Sequence, residues 1–177
     1  MPLKKPSNIS LSKGPRKYRY FVDRNLGSVF LPEQLRNAGI DIAVHDDLYT
    51  QTERDPWIFY ECGRKNLIVV TSDTLFMKSF PHMAAVALAR TRVIAFTNNN
   101  HKSVVRGAAF IKGRPQIEKA LAAHKRKHFI GVVGMKGDFR ICAEAPLPSR
   151  KTCHPKDWES YEQVCRTAGV LALAPKH

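Results

Sequence analysis

Short apolar runs that stop at acids recur along this chain. The first, Tyr18 to Val22 within KYRYFVDRNLG, is aromatic and β-branched, ends at Asp23 and passes into Arg24, Asn25 and Gly27. It predicts a buried strand. Ile40 to Val44 leads into His45, Asp46 and Asp47, a second strand ending in carboxylates. Leu67 to Val70 is the most continuous aliphatic run and closes on Thr71, Ser72 and Asp73. Val93 to Phe96 predicts a fourth strand, with the uncharged exit TNNN at 97–100.

Between these runs the spacing turns helical. Phe30, Leu31 and Leu35 predict a helix from Ser28 to Ala38, with Pro32 tolerated in its first turn and Gly39 as its stop. A second helix begins near Asp55, capped by Thr52 or Asp55, with Pro56 just after the cap. Pro81 to Arg90 is an alanine-rich helix, and Ser103 to Lys127 is mostly helical but divided by Gly107, Gly113 and Pro115. Phe129 to Val133 and Phe139 to Ala143 flank Met135, Lys136 and Gly137, which predicts a hairpin. Trp158, Tyr161, Cys165 and Ala168 share one face of a terminal helix.

Strand and helix therefore alternate until the closing hairpin. Such alternation predicts an α/β fold with a mainly parallel sheet, helices on both faces and right-handed crossovers. The 177 residues suit one domain with tails: a basic flexible arm at 1–17, the domain at 18–145, and a linker and terminal helix at 146–177. That helix packs on its own domain by default; a homodimer or a partner protein is the alternative.

Charge narrows the partner. Lysine and arginine number 29 against 15 acids, a formal charge of +14, and the arm from Met1 to Arg19 holds no acid at all. Cations that neutralise phosphates release condensed counterions, so a nucleic acid is the expected partner. From Asp73 to Glu118 no acid intervenes, while Lys78, Arg90, Arg92, Lys102, Arg106, Lys112 and Arg114 all fall there, predicting a basic rim. Cys62, Cys142, Cys153 and Cys165 lack close zinc-type spacing, although Cys153, His154 and Cys165 are a remote alternative. With no signal-like leader and no run long enough to span a bilayer, a cytoplasmic protein with no membrane partner is expected.

In a parallel sheet, strand ends converge on the edge where ligands bind. Asp23, Asp73 and one of the adjacent Asp46 and Asp47 would meet there, with Asp55 opening a nearby helix. Two carboxylates about 4 Å apart repel by roughly 4 kcal/mol at an effective dielectric of 20. A divalent cation offsets that repulsion, and carboxylates with waters suit Mg2+ or Mn2+. The bland alternative is that these aspartates cap backbone amides, an explanation most complete for Asp55. Asn25, in D-x-N with Asp23, has an amide able to hold a water or a phosphate oxygen; His45 is given no role.

FVDRNLG at Phe21 to Gly27, HDD at His45 to Asp47, D-P-W at Asp55 to Trp57 and VVTSD at Val69 to Asp73 together resemble a PIN-like domain of the compact sort related to VapC-type toxins. The resemblance covers Tyr18 to Ala143 in element order. It implies a three-layer α/β/α fold and Mg2+- or Mn2+-dependent cleavage of RNA, leaving a 5′-phosphate and a 3′-hydroxyl. Carried over by motif, Asp23, Asp55 and Asp73 are the catalytic metal ligands, with Asp47 as the fourth. Apart from the motif, Arg24, Asn25 and Lys78 are expected to contact nucleic acid. Better-known members usually supply another acid at the exit of the fourth strand, where Asn98 to Asn100 stand here, so a second metal is not implied.

The expectation is a metal-dependent ribonuclease, the toxin of a toxin–antitoxin pair, with RNA and an antitoxin as partners. The alternative is a non-catalytic PIN-fold nucleic-acid-binding protein. A third reading makes Asp23 a phosphatase nucleophile, but Asn25 stands where that chemistry needs a second aspartate.

Overall fold

The computed structural model describes residues 18–49, 55–97, 101–125 and 128–143. The basic arm, the linker with its terminal helix, Thr52 and 98–100 lie outside the described residues. Six strands form one sheet: β1 (Arg19–Val22), β2 (Asp41–Val44), β3 (Ile68–Thr71), β4 (Arg92–Phe96), β5 (Phe129–Val133) and β6 (Phe139–Ala143), in the order β2-β1-β3-β4-β5-β6. The first five are parallel, and β6 returns antiparallel to β5. The expected hairpin is there.

Both faces of the sheet are buried, which is why its strands read as unbroken apolar runs instead of alternating ones. Tyr20, Val22, Ile68, Val70, Ile94 and Phe96 face one core with α1 (Phe30–Asn37) and α5 (Ser103–Ala123). Phe21, Val69, Val93 and Ala95 face the other, with α3 (Asp55–Arg64) and α4 (Phe80–Leu88). A short helix α2 (His45–Leu48) follows β2 directly. The result is a three-layer α/β/α sandwich.

Three helices end by one device. After α1, α3 and α4 the chain enters left-handed backbone at Gly39, Asn66 and Arg90, with φ of 73°, 56° and 55°. Ile40 N then bonds Leu35 O, Leu67 N bonds Cys62 O, and Thr91 N bonds Val86 O, the six-to-one closure of a Schellman turn. Only the first position is a glycine. These closures give tight entries at the amino edge of β2, β3 and β4, leaving the carboxyl edge to carry the longer polar segments.

One expectation fails: Gly107, Gly113 and Pro115 do not divide α5, which runs unbroken over 21 residues. The glycines serve packing instead. A side chain at Gly107 would collide with the Gln34 side chain on α1, and one at Gly113 would stand 2.8 Å from the backbone oxygen of Gly137 in the β5–β6 turn. Pro115 sits on the exposed side, where one missing backbone bond is tolerated.

Two substitutions in α5 should therefore act oppositely in urea unfolding. Gly113→Val destabilises by about 1–3 kcal/mol through overpacking, whereas Pro115→Ala stabilises, by up to about 3 kcal/mol, through restored helix propensity.

Candidate active site at the carboxyl edge

The order β2-β1-β3 creates a switch point: from β1 the chain crosses through α1 to β2, then passes back over β1 through α3 to β3 on its other side. A crevice opens beyond the carboxyl ends of β1 and β3, the place where parallel sheets bind ligands. Asp23 directly follows β1, Asp73 lies two residues past β3, and Asp55 is the first residue of α3. All three line one pocket, together with Phe21, Ile58, Phe59 and His82. It encloses about 10 Å³, room for roughly one water-sized occupant.

Thr71 is the hub of this end of the sheet. Its hydroxyl donates to Asp23 Oδ2 at 2.7 Å, and its oxygen accepts from Asn25 Nδ2 and from the Asp73 backbone N–H, each at 3.0 Å. Asn25 Oδ1 accepts from both the backbone N–H and the hydroxyl of Ser72 at 3.1 Å. One oxygen of Asp73 accepts the Leu75 N–H at 2.7 Å, which fixes that side chain across the turn. The D-x-N and T-x-D motifs are thus halves of one network joining β1 to β3. Asn25 directs its amide to that network, so the structure gives it a positioning part beside the nucleic-acid contact expected of it.

Burial is the main force on Asp23. It raises the carboxyl pKa above its ordinary value, the charge of Asp55 adds to the rise, and the Thr71 hydrogen bond opposes it. His82, the third residue of α4, is pushed the other way: burial lowers its pKa, while the charges of Asp55 and Asp73 pull it up. Its Nδ1 lies 2.7 Å from Ser79 Oγ, and its ring packs edge-on against Phe59 at 5.5 Å.

Asp47 is not brought to the pocket. At His45 the chain winds into α2 instead of staying extended, and Asp47 faces solvent with Arg36 Nη2 3.9 Å away. Asp46 points back to His45 Nδ1 at 3.2 Å. His45 itself is buried between Phe21 and Tyr49. Arg24 lines a separate cavity of about 110 Å³ with Gly27, Ser28, His45 and Asp46.

The basic rim is smaller than the sequence suggests. Lys78, at the end of the 3-10 turn Leu75–Lys78, and Lys102, just ahead of α5, are exposed beyond strand ends on the carboxyl edge. Helix α4, however, carries the chain to the opposite edge. Arg90 and Arg92 consequently lie at the start of β4, where Arg92 is buried and bonded to Asn66 Oδ1 at 2.6 Å. Arg114 pairs with Glu118 at 2.7 Å. Contiguity in sequence had hidden a helical crossover between the two edges.

Three carboxylates and an imidazole around a small pocket with no lysine or arginine in its lining form a donor set suited in kind to a divalent cation. Among the described residues, no three His, Cys, Asp or Glu side chains gather as a closed metal-holding group. The donors surround a pocket without converging on one point. His82 and Thr71 were not singled out from the sequence. The signal for His82 was its place in the first turn of a helix that starts at the carboxyl edge; for Thr71 it was the T-x-D spacing.

Residues 18–98 match the family model described as a PIN like domain. The match runs from the start of β1 past β4 and contains Asp23, Asp55, Asp73 and His82. At the level of the family, a PIN-like domain supports a nuclease-type function. No curated protein and no solved structure matches this chain.

The raised pKa of Asp23 fixes the sign of a stability test. Its contribution is fully present below the unfolded carboxylate pKa and is lost as pH rises through the higher folded value. In metal-free buffer, Asp23→Asn should therefore raise Tm at pH 7 by about 2–4 °C, roughly 1 kcal/mol for a chain of this size. The gain should vanish below about pH 4. Thr71→Val, which removes the opposing hydrogen bond, should raise the Asp23 pKa further in a carboxyl NMR titration.

Proposed function

We propose that this chain, whose residues 18–98 match a PIN-like domain, is a Mg2+- or Mn2+-dependent ribonuclease that hydrolyses RNA phosphodiester bonds. The observation that carries the reading is that Asp23, Asp55 and Asp73, from the exit of β1, the start of α3 and the exit of β3, line one pocket at the switch point. Local hydrogen bonds account for Asp23 and Asp73 singly; three acids lining one pocket with no lysine or arginine in it support a shared use. Asp55 and Asp73 would hold the cation with Asp23. Asp47, on the surface beside Arg36, is left out of the ligand set.

When bound, the cation supplies Lewis acidity toward a phosphodiester and neutralises charge that builds on its oxygens. The chain's own residues do the rest. Thr71 holds Asp23 in one orientation, and burial makes that carboxylate a stronger base than one in water. Asp73, anchored through Leu75 N–H, lines the pocket beside it. Lys78 and Lys102 carry positive charge on the same edge and attract the RNA backbone. Phe21, Ile58 and Phe59 give the pocket an apolar wall that restricts water.

Two finer parts of this reading rest on the VapC-type resemblance: a toxin role and an antitoxin partner. A small helix-turn-helix protein encoded beside this one would support both. The competing reading, a PIN-fold protein that binds RNA without cutting it, draws on the small acid count: among the described residues, the pocket is lined by three carboxylates.

Incubation with mixed single-stranded RNA separates the two. Cleavage should require Mn2+ or Mg2+, leave 5′-phosphate ends, stop with EDTA and fall at least about 100-fold in Asp23→Asn and Asp73→Asn. Cutting that survives EDTA, or both variants, would refute the nuclease reading. Binding without cutting by the wild type would favour the competitor.

A further inference from the structure

We propose that the cavity between the exits of β1 and β2 is a base subsite, which takes one pyrimidine ring of RNA from a nucleotide beside the bond presented to the acidic pocket. The inference rests on the nuclease reading above and names the sequence that such an enzyme prefers. The two cavities are neighbours along one strand. Phe21 and Asp23 line the acidic pocket, whereas Val22 and Arg24, alternating with them in the chain, line the second cavity. His45 lines that cavity too and packs on Phe21 with ring centroids 6.3 Å apart, so the Phe21–His45 contact lies between the two.

Size selects the occupant. The cavity has a volume of about 110 Å³. Benzene enters a protein cavity of about 150 Å³, so this space is on the scale of one six-membered ring and is too small for a fused purine.

The lining suits a base better than a phosphate. Val22 and Val44, paired at the last rung of β1 and β2, are buried and give a ring an apolar wall. Arg24, Ser28 and Asp46 line the cavity as solvent-exposed residues and supply guanidinium donors, a hydroxyl and a carboxylate acceptor. One cation and one carboxylate offset each other in charge, so an anion gains little there, while the edge of a pyrimidine carries both acceptors and an N–H donor. Asp46 is tied to the buried His45, its Oδ1 standing 3.2 Å from Nδ1. Unstacked bases of single-stranded RNA are the ones that such a cavity can read.

The test is fluorescence anisotropy of short labelled oligomers of uridine, cytidine and adenosine with the full chain in EDTA, followed by mapping of cuts in mixed single-stranded RNA with Mn2+. Wild type, Ser28→Phe, Asp46→Asn and Lys102→Ala are compared, with Tm measured for each. Wild type should bind the uridine or the cytidine oligomer at least about tenfold more tightly than the adenosine oligomer, and its cuts should fall beside that pyrimidine. Ser28→Phe, which fills the cavity, and Asp46→Asn, which changes an acceptor, should lose most of the preference. Lys102→Ala, outside the cavity, should weaken all three oligomers alike. If Ser28→Phe fails to fold, the near-isosteric Asp46→Asn decides. Equal wild-type affinity for the three oligomers, or a preference unmoved in the folded variants, overturns the subsite; the nuclease reading stands if Mn2+-dependent cutting persists. A pyrimidine preference that the variants abolish, in a chain that cuts no RNA, keeps the base site and overturns the nuclease reading. No binding of RNA overturns both.

Discussion

A buried carboxyl group, Asp23, sits where the sheet changes direction, and the hydrogen-bond network around Thr71 fixes its position. Asp23 is buried at the end of β1, within the field of Asp55 and beside Asp73. Burial and like charge both disfavour its ionised form; the Thr71 hydroxyl is the main local contact that favours it. A carboxyl group perturbed in this way inside a cleft marks a candidate functional site.

The network around Thr71 turns sequence neighbours into spatial ones. Asn25 and Ser72 clamp the exits of β1 and β3 together, so the distance between the two acidic strand ends is set by backbone and amide hydrogen bonds. The left-handed turns after α1, α3 and α4 do corresponding work at the other edge. They deliver each next strand in register, and the carboxyl edge can then carry polar chemistry on a rigid support.

Much of this was legible in the chain. Runs such as Ile68–Thr71 announce strands buried on both faces, and alternation with helical spacing gives a parallel sheet with little ambiguity. Strand-end acids follow from that directly, which is why Asp23 and Asp73 stand out as candidates, whereas Asp55 comes from the D-P-W start of a helix. Asp47 was misplaced because its position depends on whether the chain stays extended or coils at His45, a choice made by packing against Phe21 and Tyr49. Gly107 and Gly113 looked like helix breakers because propensity is local; their partners, Gln34 and Gly137, are distant in sequence. Arg92 looked like part of a basic surface, yet the start of β4 lies under the sheet's helical cover.

The central claim is that three acids, and not the fourth expected from the motifs, share one cation. Thermal unfolding at pH 7 with and without Mn2+, in wild type, Asp23→Asn, Asp73→Asn and Asp47→Asn, tests it most directly. At about 100 times the dissociation constant, Mn2+ should stabilise by about 2.7 kcal/mol, a rise in Tm of roughly 5–10 °C. Wild type and Asp47→Asn should show that rise, and Asp23→Asn and Asp73→Asn should lose most of it. A shift that persists in both of the latter, or disappears only in Asp47→Asn, would contradict the account.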